Sequence, residues 1–188
     1  MGDYLTTDRL VLRHLGADDA DVLVETDSDP AVMRHLTGGE PSLPPEVVRE
    51  QVLPRILATY ERWGGRFGLL AAYERDTGRC VGWFQLRRDP DGPGDEVELG
   101  YRLRQAAWGR GLATEGVRAL LHKAFGELGL QRVYGDTMAV NTGSQRVMAK
   151  AGMRVVAELP TPDGMERVEG AERGGVRYTV TREQWQQQ

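Results

Sequence analysis

From Leu112 onward the apolar residues Val117, Leu120, Leu121, Ala124, Phe125 and Leu128 recur on one face of a helix, and Gly129 stands where its C-cap belongs. Strand period governs other stretches. "RLVLRHL", Arg9 to Leu15, alternates through Leu10 and Leu12. "FGLLAAYE" and "CVGWFQLRR" read as strands joined by "RDTGR", and "DPDGPGD" turns the second into "EVELGYRLR", which predicts a three-stranded antiparallel meander. Between these regions a helix is expected from about Ala17, and Asp29 with Pro30 opens a second one bearing Val32, Met33 and Leu36. After the breaker-rich "GGEPSLPPE", Val48, Val52, Ile56, Leu57 and Tyr60 keep helical spacing, with Pro54 predicted to kink or split the helix. Downstream, "RVYGDTM" reads as a strand, Asn141 caps a helix with Val147, Met148 and Ala151, and "MRVVAEL" and "VRYTVTR" complete the strands. No repeat or low-complexity linker divides the chain, so residues 1–188 are expected to form one domain of α/β (mixed α+β) class, with helices packed on a mixed sheet.

Composition narrows the class of partner. The 188 residues carry 40% hydrophobic and 28% charged side chains, ordinary for a globular protein, and a net charge of −4 gives no support to nucleic-acid binding through phosphate neutralisation. The lone cysteine, Cys80, precludes an internal disulfide, and the absence of a leader or an apolar run of membrane-spanning length points to the cytoplasm with no membrane partner. "MGDYLT" satisfies the loose myristoylation template, but no basic cluster follows it and one acyl chain anchors only marginally. Arginine far outnumbers lysine, present only at Lys123 and Lys150, which suggests GC-rich coding and a bacterial source.

Chemistry concentrates at "WGRGLATEG". Gly109 and Gly111 strip side chains from the backbone just ahead of the regular helix, where the first-turn N–H groups have no helical acceptor. With the positive end of the helix dipole and Arg110 as a counter-charge, the loop suits a phosphate or diphosphate; the simpler alternative is a tight turn that needs glycine for positive φ. The nucleotide loop with Lys-Ser/Thr after its last glycine is excluded, because Leu112 and Ala113 stand there. The dinucleotide fingerprint is disfavoured too, since the preceding strand belongs to a meander rather than to a parallel β-α-β unit.

Together, "ELGY", "WGRGLATEG" and "NTGSQRVMAKAGM" resemble the GNAT superfamily of acyl-CoA-dependent N-acyltransferases, in particular the branch with ribosomal-protein N-terminal acetyltransferases. The strong match covers Val97 to Val155, and weaker similarity extends from "TDRLVLRHL" to "RYTVTREQW". In the loop, Trp108 replaces the family's Gln or Arg, while Gly111 and Ala113 match. The resemblance implies a central, mostly antiparallel sheet splayed at the cofactor cleft, with helices on both faces. It also implies acetyl-CoA, or another short acyl-CoA, as co-substrate and no metal. The pantetheine arm would pair with backbone from Leu99 through Tyr101 to Leu103, with Gly100 allowing close approach. The diphosphate would rest on the N–H groups of Gly109, Arg110, Gly111, Leu112, Ala113 and Thr114, and Asn141 would position the arm.

The same resemblance implies direct attack of a primary amine on the thioester within a ternary complex, the acceptor being a protein N-terminus or a small molecule, with a homodimer compatible. Such chemistry needs a base, for which Glu98 is the first candidate, and a donor to the leaving thiolate, a role that fits Ser144, with Tyr134 or Tyr101 as alternatives. A strand N–H between Leu99 and Tyr101 would serve the oxyanion. Read without the resemblance, Glu98 is a solvated strand carboxylate, Asn141 an N-cap and Ser144 a common first-turn residue. His14, His35 and His122 lack metal-ligand spacing, and Cys80 reads as a buried small hydrophobe in mid-strand. The acidic run Asp18, Asp19, Asp21, Glu25, Asp27 and Asp29 reads as a solvated helical face, or as a lure for a cationic amine if it borders the cleft. Two other readings stand beside transfer: an acyl-CoA-binding regulatory module without turnover, and a nucleotide-binding domain of another kind.

Overall fold

The meander expected between Phe67 and Arg104 forms the middle of an eight-stranded sheet in the computed structural model, which describes residues 2–187 and so leaves Met1 and Gln188 outside the described residues. The strands are β1 (Asp3–Thr6), β2 (Leu10–His14), β3 (Gly68–Glu74), β4 (Cys80–Arg87), β5 (Glu96–Leu103), β6 (Arg132–Met138), β7 (Arg154–Leu159) and β8 (Gly175–Thr181). Their spatial order is β1-β2-β3-β4-β5-β6-β8-β7, antiparallel throughout except where β5 meets β6. Strand β1 was not expected; with only four residues it is too short to display a period.

The helices are α1 (Ala20–Asp27), α2 (Pro30–Met33), α3 (Pro45–Val47), α4 (Leu53–Arg62), α5 (Leu112–His122), α6 (Thr142–Lys150) and α7 (Arg182–Gln186). Asp29 caps α2 as expected, its Oδ1 accepting from Ala31 N, but the helix stops at Met33 short of Leu36. Pro54 does divide its helix: a π-helical segment, Val48–Val52, precedes α4, and the proline falls in the first turn of α4, where a missing N–H is tolerated.

Two apolar layers sandwich the sheet. On one face Leu12, Leu70, Phe84, Leu86 and Leu99 pack against Val117, Leu120 and Leu121 of α5. On the other, Ala71 and Trp83 pack against Leu23 of α1 and Leu53 of α4. Gly116 permits the first contact, because a Cβ there would lie 2.3 Å from Phe84 Cζ.

One irregularity opens the sheet. Parallel pairing of β5 and β6 covers only Glu96 to Glu98 against Arg132 to Tyr134, whereas β6 stays paired with β8 as far as Met138. Beyond Glu98 the two central strands therefore diverge. Gly135 stands at the apex, where a Cβ would lie 3.0 Å from the Leu99 carbonyl oxygen and 3.1 Å from Met148 Sδ.

Candidate active site

The alternation of backbone groups decides which of them face the opening. Arg104 N donates to Val81 O at 2.9 Å, so in the regular antiparallel register Arg104, Arg102 and Gly100 direct their backbone groups to β4. Leu99, Tyr101 and Leu103 then point theirs away from β4, where the pairing of Glu98 with Tyr134 engages the Leu99 N–H and the groups from the Leu99 carbonyl onward face the splay. The Leu103 carbonyl is already engaged by Trp108 Nε1 at 2.7 Å, which leaves Leu99 and Tyr101 as the principal strand edge for an extended ligand. Gly100 does not play the part expected of it. Its backbone faces β4, and the space above its Cα is filled by Gln85, whose Nε2 lies 2.8 Å from an ideal Cβ position.

At the open end of the splay, Gly109 and Gly111 adopt φ of +71° and +81°, which brings the chain into α5 with Gly111 as N-cap. The first helical bond runs from Glu115 N to Gly111 O at 3.0 Å, so the N–H groups of Leu112, Ala113 and Thr114 have no acceptor within the helix. These donors stand at the positive end of an eleven-residue helix, an arrangement suited to an anion. Arg110 does not stand free beside them, since its guanidinium pairs with the Glu74 carboxylate.

A clamp that sequence reasoning missed braces this loop. Glu115 Oε1 accepts from Thr7 Oγ1 at 2.6 Å and from Arg9 N at 2.9 Å, and its Oε2 accepts from Arg9 Nε at 2.6 Å. Arg9 Nη1 also donates to the Arg110 carbonyl at 2.8 Å, tying the N-terminal hairpin to the loop. Burial opposes the charged form of Glu115, but the hydrogen bonds from Thr7 and Arg9 prevail and hold its pKa below the ordinary value.

Across the splay, Asn141 caps α6 by accepting from Ser144 N at 3.1 Å, the role its residue type predicts. Ser144 Oγ lies 2.9 Å from Tyr101 Oη, a contact in which either hydroxyl can donate, and Ser144 O lies 3.2 Å from the same phenol as a second acceptor for its one proton. Burial pushes the Tyr101 phenol up to about 12, so it remains protonated at neutral pH, and the Ser144 contact pulls back only in part. The helix-side wall thus holds two linked hydroxyls.

The remaining candidates occupy the opposite face. Glu98 and Tyr134 are parallel partners and share that face, away from Ser144. Arg87 donates through Nε and Nη2, and both bonds land on Glu98 Oε2. Tyr134 lies under Arg177, whose Cζ is 4.4 Å from the ring centroid, and Arg177 in turn makes a two-pronged pair with Asp136 at 2.8 and 2.7 Å. Burial, followed by the Glu98 carboxylate, raises the Tyr134 pKa against the pull of Arg177. A register count through the meander could have found Arg87, because it sits directly opposite Glu98.

The acidic run is mostly neutralised. Asp19 pairs with Arg13, Asp21 with Arg49, Glu25 with Arg104 and Asp27 with Arg102, so α1 presents ion pairs rather than a bare negative face. Cys80 proves half-buried at the start of β4, beside a bulge, rather than buried in mid-strand. Among the described residues no cluster of three or more His, Cys, Asp or Glu side chains could hold a metal, and no helix is long and apolar enough to cross a membrane.

Comparison with known proteins agrees with this geometry. Residues 9–154 match the family described as acetyltransferase (GNAT) domain. The chain is 34% identical to an Aspergillus fumigatus protein named FsC-acetyl coenzyme A-N(2)-transacetylase, over 96% of this chain and 77% of that one. In fold it is similar to the ribosomal L7/L12 alpha-N-protein acetyltransferase solved with coenzyme A, at TM-score 0.79 and 14% identity over 96% of this chain and 98% of the other. Spermidine N-acetyltransferase from Vibrio cholerae, solved with CoA and spermine, gives TM-score 0.75 and 14% identity over 96% and 99% of the two chains. With the family match spanning most of its length, the splayed sheet and the loop at the head of α5 identify this chain as a member of the GNAT family of acetyltransferases.

Proposed function

We propose that this chain, an acetyl-CoA-dependent N-acetyltransferase by family, acetylates a small-molecule primary amine, with the two faces of its splay dividing the proton traffic. The observation that carries the reading is the placement of Ser144 and Glu98 on opposite sides of one opening. Acetyl-CoA supplies the activated acyl carbon. The bare N–H groups of Leu112, Ala113 and Thr114 would hold its diphosphate, the strand edge at Leu99 and Tyr101 its extended arm, and Asn141 would steady that arm through its side-chain amide. The cleft-facing N–H of Tyr101 would meet the developing oxyanion, because the parallel pairing of Glu98 with Tyr134 already engages the Leu99 N–H.

On the other face, Glu98 would receive the proton lost by the incoming amine through Oε1, the oxygen to which Arg87 does not bond, and the Tyr134 phenol would relay or hold the acceptor beside it. The Ser144 hydroxyl, oriented by Tyr101, would donate to the departing thiolate. A small-molecule acceptor is favoured by the 34% identical Aspergillus relative, which aligns with 96% of this chain and whose name specifies transfer to an N(2) position. A cytoplasmic site of action belongs to the same reading.

The test is thiol release from acetyl-CoA in the presence of a panel of primary amines. Amine-dependent release supports the reading, whereas tight coenzyme A binding with no release on any amine supports a binding module instead.

A further inference from the structure

A second cavity lies on the acceptor face. It encloses about 80 Å3 between α1, α4, the π-helical turn before it and the segment at Ser42 and Leu43, with Leu69 of β3 at its floor. Val24, Val52 and Ile56 supply apolar wall, and Leu43, 41% exposed, stands at the mouth. Asp27 also borders it, but its Oδ1 accepts from Trp83 Nε1 at 3.1 Å and its Oδ2 from Arg102 Nη1 at 2.7 Å. A cationic occupant would have to displace Arg102. An uncharged aliphatic occupant would not.

Strand register connects this cavity to the splay. Leu69 pairs with Gln85, and Gln85 pairs with Gly100, so the three positions form one row on one face of the sheet. Two strand spacings separate the ends of that row, about 10 Å. Gln85 lies over Gly100 and is the single side chain of the row between the cavity floor and the opening.

We infer that the cavity seats an aliphatic segment of the acceptor, so that the preferred substrate is an elongated amine with an uncharged aliphatic portion about 10 Å from its reactive nitrogen. The inference rests on the transfer reading above and adds the chemistry of the acceptor. Polar ends beyond the aliphatic segment can leave through the mouth past Leu43 and Ser42.

The experiment compares kcat/KM for n-octylamine and n-propylamine in the wild type and in the Val24→Phe and Leu43→Asp variants. Saturation-transfer NMR with n-hexanol reports occupancy of the cavity without turnover. Val24→Phe fills the cavity, while Leu43→Asp sets a charge at its mouth from a side chain that is 41% exposed. The wild type is expected to prefer octylamine by roughly 10- to 100-fold, and the preference is expected to fall to within about threefold of unity in both variants. Hexanol saturation transfer should weaken in parallel.

A wild-type ratio near unity without hexanol transfer, on an enzyme that turns over both amines, overturns the cavity's assignment and leaves the transfer reading standing. A preference that survives in both variants overturns it as well. Absence of thiol release with any amine, together with hexanol transfer that the variants abolish, overturns transfer and leaves the aliphatic site in place.

Discussion

Tyr101 Oη lies 2.9 Å from Ser144 Oγ, joining the diverging strand β5 to the first turn of α6. With the phenol held protonated by burial, the serine hydroxyl has a fixed partner on one side and the open cleft on the other. Ser144→Ala is therefore expected to lower kcat by roughly 100-fold or more, the usual scale for loss of a general acid, with coenzyme A affinity within a few-fold of wild type. Tyr101→Phe removes the partner but not the donor, and a smaller loss, about tenfold, is expected. Steady-state kinetics with calorimetric affinities checks both. Unchanged turnover in Ser144→Ala would remove Ser144 from the chemistry.

The Glu115 clamp predicts a coupled defect. Glu115→Ala removes the acceptor that Thr7 Oγ1, Arg9 N and Arg9 Nε share. A loss of about 2 kcal/mol in unfolding free energy is expected, discounted because the Arg9 side chain is 48% exposed. Since Arg9 also holds the Arg110 carbonyl, coenzyme A affinity should fall as well. Chemical denaturation and calorimetry on one variant measure both effects, and a stability loss with unaltered affinity would separate the clamp from the loop.

Gly116 makes a packing prediction. A methyl group there would sit 2.3 Å from Phe84 Cζ in a ring that is fully buried, so Gly116→Ala should destabilise the protein by about 1–3 kcal/mol despite alanine's better helix propensity. A denaturation midpoint at or above that of wild type would show that the two layers have slack that the structure does not display.

Stability should also respond to pH through His14. Its ring packs on Tyr60 at 4.4 Å and its Nε2 lies 3.0 Å from Gly65 O, and burial lowers its pKa below the ordinary value against that bond. A depressed folded pKa means that the unfolded chain binds the proton more readily, so this stability is present above about pH 6.5 and is lost as pH falls from there through the lower folded value. His14→Phe should flatten the dependence of unfolding free energy on pH between about 7 and 5.5. An undiminished slope would assign the effect elsewhere, His35 being the other histidine shifted the same way.

What could be read from the sequence was local, or connected by a short turn. The glycine loop, the stripe on α5 and the Asn141 cap are decided within a few residues, and the meander brings Arg87 opposite Glu98 by counting back from one turn. The Arg9–Glu115 clamp joins residues 106 positions apart, and no periodicity reports such a distance. The close approach expected at Gly100 fails for a related reason: only the register of β4 shows that Gln85 covers that glycine. Tyr134 and Tyr101 looked equivalent beside Ser144 until strand parity placed them on opposite faces.

Whether bare amides at the head of α5 hold the cofactor's diphosphate is decided by titrating coenzyme A calorimetrically into wild type, Gly111→Asn and Gly111→Asp. Both replacements tolerate the positive φ of Gly111 better than other side chains do, and they differ by one negative charge. Measurable binding by the wild type is expected, with a modest loss in Gly111→Asn and at least a further ~10-fold loss in Gly111→Asp. No heat from the wild type at ~1 mM coenzyme A, or equal affinities of the Asn and Asp variants, would contradict that placement of the diphosphate.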